Sequence, residues 1–161
     1  MPTSHNIEIR IEAGKWLEKF SNLQIVCKEA VTAVLAYEKL LNEQIELTII
    51  LGNDELVRNL NKHYRDRDYP TNVLAFPTNN LYDSPILPRH LGDVFLAFET
   101  CYKELLDDDY ITSFSDHVCH LVIHGVLHLL GYQHEHVVDA ERMEMVETNI
   151  LAKLGVKSPY D

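Results

Sequence analysis

The sequence predicts an α+β domain: about four strands in a mixed sheet, packed by helices, with one helix buried at its centre. Three observations carry that expectation. Short runs alternate apolar and polar residues or are rich in β-branched ones, as strands do; other segments repeat their apolar positions every three or four residues, as helices do. One stretch, SFSDHVCHLVIHGVLHLLG at 113–131, is apolar on most of its sides, which suits a helix enclosed by the rest of the chain. With 161 residues, 46% of them hydrophobic, the chain holds material for one sizeable core and little for a second, so 1–161 is taken as a single domain.

In chain order, Ile7, Ile9 and Ile11 alternate with polar neighbours in NIEIRIEA, a half-buried strand. Ser21 is placed to cap a helix running to about Leu41, in which Leu23, Val26, Ala30, Val34, Tyr37 and Leu41 fall at spacings of three and four. IELTIIL at 45–51 is a second strand. The turn GND at 52–54 caps a short helix, ELVRNLNKHYR, with Leu56, Leu60 and Tyr64 on one face and Pro70 as its stop. NVLAFP at 72–77 and DVFLAF at 93–98 are two more strands, and the segment 78–90 between them is a loop. The buried helix is capped near Ser113 or Ser115 and ends at Gly131. A last helix, about 138–154, aligns Met143, Val146, Ile150, Leu151 and Leu154 before Gly155.

Composition narrows the class. No apolar run approaches the roughly 18 residues of a membrane span, and MPTSHNIEIR lacks the apolar core of a secretory signal, so a soluble cytoplasmic protein is expected. Cys27, Cys101 and Cys119 are odd in number and scattered, which argues for buried packing residues over disulfides or a cysteine metal site. The net charge of −11 disfavours a polyphosphate partner unless the fold gathers a local cationic patch.

HGVLHLLGYQH at 124–134 carries the chemistry. On a helix, His124 and His128 project from the same face and can reach one cation. Gly131, without a Cβ, can adopt a left-handed conformation that ends the helix and returns His134 towards the same point. Three neutral imidazoles leave a tetrahedral zinc ion with one open position, the mark of a catalytic site, and zinc lowers the pKa of bound water towards about 7. The bland reading is that these are core histidines satisfied by hydrogen bonds. An i, i+4 pair followed by a glycine and a third histidine is hard to obtain by chance, even with five of the nine histidines between 117 and 134. The spacing also matches HExxHxxGxxH of metzincin peptidases, but Gly125 stands where their general base does. Glycine in mid-helix costs about 1 kcal/mol relative to alanine, so Gly125 points to close packing or substrate approach.

HGVLHLLGYQH further resembles the HGxLHLxGYDH signature of the YbeY family of metal-dependent endoribonucleases. LNKHYRDRDYPTNVLAFP at 60–77 is similar to that family's LNxxYRxxDxPTDVLSFP, LGDV at 91–94 to its LGDI, and Met143, Glu147 and ILAKLG to its C-terminal pattern. The resemblance runs from about 55 to 155. It departs at Gln133 and Asn72, each where the family usually has Asp; a carboxylate beside the third ligand would orient a histidine and raise its basicity.

What the resemblance implies is one α+β metallo-hydrolase domain and one Zn2+ per chain on His124, His128 and His134. It implies cleavage of single-stranded RNA, with the 16S rRNA of the 30S ribosomal subunit as substrate, in rRNA maturation and ribosome quality control, and ribosomal proteins as further partners. The family's functional arginine falls on Arg65, the candidate catalytic residue. Its guanidinium stays charged and offers paired donors to phosphate oxygens. Arg58, Lys62, Arg65 and Arg67 form the required cationic patch, diluted by Asp66 and Asp68; a solvated helix end is the bland account of Arg65. His120, one turn before His124, is expected to be structural, with a donor or proton-shuttle role as the alternative. Trp16 is expected to pack in the core. Two rival functions remain open: a ribosome-assembly factor whose metal is mainly structural, and a metallohydrolase of a non-RNA substrate.

Overall fold

The computed structural model describes residues 5–19, 22–78 and 88–160. Four strands form one mixed sheet in the order β1-β2-β4-β3: β1 (Asn6–Ile11), β2 (Ile45–Gly52), β3 (Val73–Pro77) and β4 (Arg89–Ala97). β1, β2 and β4 run parallel, and β3 is antiparallel to β4 at the edge, with Ala75 opposite Val94. Six helices join them: α1 (Lys15–Lys19), α2 (Leu23–Tyr37), α3 (Asp54–Arg65), α4 (Phe98–Asp107), α5 (Phe114–Leu129) and α6 (Val137–Lys153).

The expected buried helix is α5. It packs with α2 over the face of the sheet that presents Leu47, Ile49, Leu51, Val94 and Leu96, and α6 lies against both helices. The opposite face is covered at β3 and β4 by α3, where Val57, Leu74 and Ala97 make a smaller core flanked by Phe76 and Phe95. Trp16 is fully buried, stacked on Phe114 and edge-on to Phe98, with its indole N–H donating to the Gly52 carbonyl at 2.8 Å. It is a packing residue, as expected, and the three cysteines are buried and free.

Several expectations need correction. Two helices, α1 and α4, were not anticipated. DVFLAF is not all strand: β4 starts at Arg89, inside the expected loop, and ends at Ala97, while Phe98 opens α4. The expected helix to Leu41 stops at Tyr37. Lys39 takes a left-handed φ of 61°, and the Leu40 N–H turns back to the Leu35 carbonyl at 2.8 Å. A C-terminal turn of that kind normally has a glycine to announce it. The Ser21 cap lies outside the described residues.

α3 is capped by Asn53, whose side chain accepts from the Leu56 N–H at 2.8 Å, but it ends at Asp66 in a left-handed conformation, ahead of Pro70. Its buried face is also rotated from the one expected. Val57 and Asn61 point inwards and Tyr64 is 63% exposed, because Asn61 donates to the Tyr69 carbonyl and ties the following loop down.

Candidate metal centre

α5 begins where Ser113 accepts from the Asp116 N–H at 3.1 Å and ends in a two-bond turn. The Gly131 N–H reaches the His128 carbonyl at 3.0 Å, the Tyr132 N–H reaches the Leu127 carbonyl at 3.0 Å, and Gly131 takes a φ of +102°. This is a Schellman ending, and it reverses the chain as the glycine predicts. The reversal sets the Tyr132 carbonyl 2.8 Å from His128 Nδ1 and returns His134 to the helix. The imidazole centroids of His128 and His134 stand 4.8 Å apart, those of His124 and His134 5.4 Å, and those of His124 and His128 4.5 Å.

The middle of α5 lies close against the sheet. A Cβ on Gly125 would come within 2.6 Å of Val94 Cγ1 and 3.3 Å of Val73 Cγ2. Close packing therefore explains this glycine, and it sets the depth at which the flanking His124 sits.

The hydrogen bonds fix the protonation of both helical histidines. His124 Nδ1 lies 2.8 Å from Glu147 Oε1, and the carboxylate can only accept, so Nδ1 carries the proton. The same reasoning applies to His128 Nδ1 and the Tyr132 carbonyl. The two Nε2 atoms face each other at 3.0 Å. Burial, followed by the charge of His124, holds His128 down at about 4 against the opposing Tyr132 hydrogen bond, so it is neutral at physiological pH. At 3.0 Å the two Nε2 nitrogens either share a proton or take a cation between them. One ligand atom each from His124, His128 and His134 falls within 4.8 Å of the other two. An all-imidazole set, with the Nδ1 protons of His124 and His128 already committed, fits a divalent transition metal.

Glu147 is the site residue that the chemical reading passed over. It is fully buried on α6 and accepts from His124 Nδ1, from His120 Nε2 at 3.2 Å, and from the Tyr160 hydroxyl at 3.0 Å. Burial works to raise its pKa, but the hydrogen bonds and charges of His120 and His124 outweigh that and hold it at about 2. A signal was present: Glu147 sits between Met143 and Ile150 on the apolar stripe of α6, where a lone carboxylate needs buried donors. His120 is thus a donor to Glu147.

The departures at 72 and 133 also find explanations. Gln133 is exposed, and the carboxylate that orients His124 is Glu147 on α6. Asn72 donates its amide to both oxygens of Glu104, at 3.0 and 3.2 Å, and Glu104 also accepts from His117 Nε2 at 3.0 Å. An aspartate at 72 would set two carboxylates against each other.

The histidines line one wall of a cleft of about 1060 Å³, and Arg65, Arg67 and Tyr69 line another part of it. Arg65 reaches the cleft around the edge of the sheet, donating Nη2 to the Ala75 carbonyl at 3.0 Å with its guanidinium 5.4 Å from the Phe76 ring centroid. The cationic patch is thinner than its composition implies. Arg58 and Lys62 both turn to Asp68, at 2.8 and 4.0 Å, which leaves Arg65 and Arg67 to the cleft.

An α+β domain with three convergent histidines in an open, arginine-bearing cleft has the form of a metal-dependent hydrolase. Comparison with known proteins makes the class specific. The chain belongs to the Endoribonuclease YbeY family, whose model matches residues 8–155. It is 40% identical over 163 residues to the Endoribonuclease YbeY of Paramagnetospirillum magneticum, covering 99% of this chain and 98% of that one. It is 42% identical over 161 residues to that of Parvibaculum lavamentivorans, covering 96% and 84%. The fold matches the solution structure of a Thermotoga maritima protein with a TM-score of 0.52 at 22% identity, over 96% of this chain and 95% of that one.

Proposed function

We propose that the protein is a zinc-dependent endoribonuclease that cuts single-stranded RNA in the cleft between Arg65 and the histidine cluster, with the 16S rRNA of the 30S subunit as substrate. Family membership supports the endoribonuclease activity. The observation that carries the metal is the convergence of His124, His128 and His134 at the cleft wall, with one ligand atom of each within 4.8 Å of the others.

His124, His128 and His134 would hold the ion, and zinc there would supply a Lewis acid for a phosphate oxygen and a source of hydroxide at neutral pH. The remaining work belongs to the protein. Glu147 and the Tyr132 carbonyl keep His124 and His128 in one tautomer and one orientation. Arg65, braced on Ala75 and Phe76, presents its remaining N–H groups to the phosphate, where negative charge builds as the P–O bond breaks. Gly125 offers no carboxylate for peptide hydrolysis, and a side chain there would strike Val94.

The test is cleavage of a single-stranded 16S rRNA fragment by zinc-loaded protein, beside His128→Ala and Arg65→Ala purified identically. His128→Ala should abolish cutting, and Arg65→Ala should lower kcat by about 10²–10³-fold, the cost of one transition-state donor. Cyclic phosphate product ends would assign the attack to the ribose 2′-OH, and their absence to water. If all three proteins cut alike, the activity belongs to a contaminant and the assembly-factor reading takes its place.

A further inference from the structure

The chain beyond α6 folds back onto the metal centre. Gly155 ends α6 with a φ of +73°, and the Val156 N–H returns to the Leu151 carbonyl at 2.9 Å. Ser158 is then buried, its hydroxyl 3.0 Å from Thr148 Oγ1, and it accepts from the Tyr160 N–H at 3.2 Å. These contacts deliver the Tyr160 ring edge-on to His120, with centroids 5.6 Å apart. Its hydroxyl lies 3.0 and 3.3 Å from the two oxygens of Glu147. Tyr160 is 44% exposed and lines the same cleft as the histidines.

The donor accounting singles out this hydroxyl. Glu147 is a buried carboxylate held by three side chains, and only one of them, His124, belongs to the metal cluster. Were Glu147 free to rotate, Oε1 would not stay 2.8 Å from His124 Nδ1. Its hold on the ring would then weaken, and the outer partners of ligating histidines govern their affinity for metal. His120 restrains Oε2 alone, and its N–H is shared with the Tyr160 oxygen at 3.3 Å. The Tyr160 hydroxyl spans both oxygens and so fixes the plane of the carboxylate. Burial and the neighbouring Glu147 push the phenol pKa well up, so it stays a donor across the working pH range.

We propose that Tyr160 is a positioning residue of the metal centre: through its hydroxyl, the C-terminal segment locks Glu147 in the orientation that holds His124 as a ligand. The proposal rests on the reading of His124, His128 and His134 as the metal site. It makes the segment after α6 part of the active centre.

The experiment compares wild type, Tyr160→Phe and Tyr160→Leu, with Glu147→Gln as the reference for losing the carboxylate. Zinc affinity is measured by competition with a chromophoric chelator, thermal melting on the metal-free proteins, and kcat and KM on a single-stranded RNA. Tyr160→Phe keeps the ring on His120 and removes only the hydroxyl. It should weaken zinc roughly three- to tenfold, less than the 10–100-fold expected when an outer partner is lost outright. It should lower kcat with KM unchanged, and Tyr160→Leu should fall no further in zinc affinity. If Tyr160→Phe matches wild type while Tyr160→Leu fails, the ring packs and the hydroxyl is idle, which overturns the proposal. A lower melting temperature with zinc affinity intact overturns it as well. If wild type itself binds no zinc, the metal reading falls and takes this inference with it, and the wild-type titration alone reveals that case.

Discussion

A methyl group at position 125 would stand 2.6 Å from Val94 Cγ1, a short side chain with little freedom to move aside. Gly125→Ala therefore sets two effects against each other. Helix propensity favours alanine by about 1 kcal/mol, and overpacking costs about 1–3 kcal/mol, for a net loss of up to about 2 kcal/mol. The functional loss should be larger, because α5 must lift off the sheet and carry the rings of His124 and His128 with it. A misplacement of about 1 Å can cost around 10² in rate. We expect melting to shift modestly and RNA cleavage to drop at least tenfold, with Val94→Ala in the same chain restoring much of it. Full activity in Gly125→Ala alone would contradict this packing argument. The anomaly of a mid-helix glycine was visible in the sequence; its partner, Val94, is 31 residues away and was not.

At the scale of elements, both ends of α5 are capped, but only one end bears on the site. Ser113→Ala removes a cap worth about 1 kcal/mol. Gly131→Ala forces alanine into a φ of +102°, which costs more than the 0.4–1 kcal/mol that glycine replacement gains at compatible sites. Both variants should lower the melting temperature by a few degrees, at roughly 2–4 °C per kcal/mol for a chain of this size. Only Gly131→Ala should also impair cleavage and zinc affinity, since the turn it disrupts places the Tyr132 carbonyl on His128 and carries His134 back. Equal cleavage by the two variants would show that the turn does not position the ligands. This helix and its ends were legible because serine, an apolar run and glycine mark them in turn. α2 was misjudged by four residues because Lys39 makes a left-handed turn with no glycine to signal it.

For the molecule as a whole, the core is assembled without the histidine cluster: α2, α5 and α6 bury their apolar faces on the sheet, while His134 is exposed. Glu147 has two partners, His120 and Tyr160, that are not members of the cluster. Chelation should therefore abolish cleavage and leave a folded protein with a cooperative melt. Zinc at 1,000 times its dissociation constant should raise stability by about 4 kcal/mol. Collapse of the far-UV circular dichroism on chelation would instead make the metal part of the fold. The net charge of −11 bears on RNA binding as well. With Arg58 and Lys62 turned to Asp68, Arg65 and Arg67 of the patch line the cleft, together with Arg89, which lies 4.0 Å from Glu43. At about −0.7 per phosphate contact on a single strand, two to three contacts put the slope of log K against log salt between about −1.4 and −2.1, and Arg65→Ala should make it shallower by about 0.7. A slope steeper than about −3 would require a cationic surface elsewhere.

The class of the fold, the strands, the buried helix and the three histidines are all legible along the chain. Each of these is written in local order: a period of two or of 3.6, a cap, or a spacing of four and six along one segment. The tertiary structure alone decided what surrounds them. Glu147 meets His124 across 23 residues, Tyr160 meets His120 across 40, and Val94 closes on Gly125 from β4. It also decided which of the four clustered cations are spent on Asp68. The physical reason is that a metal ligand's type and spacing are set along one helix, whereas its tautomer, depth and orientation are set by groups that only folding brings within hydrogen-bond reach.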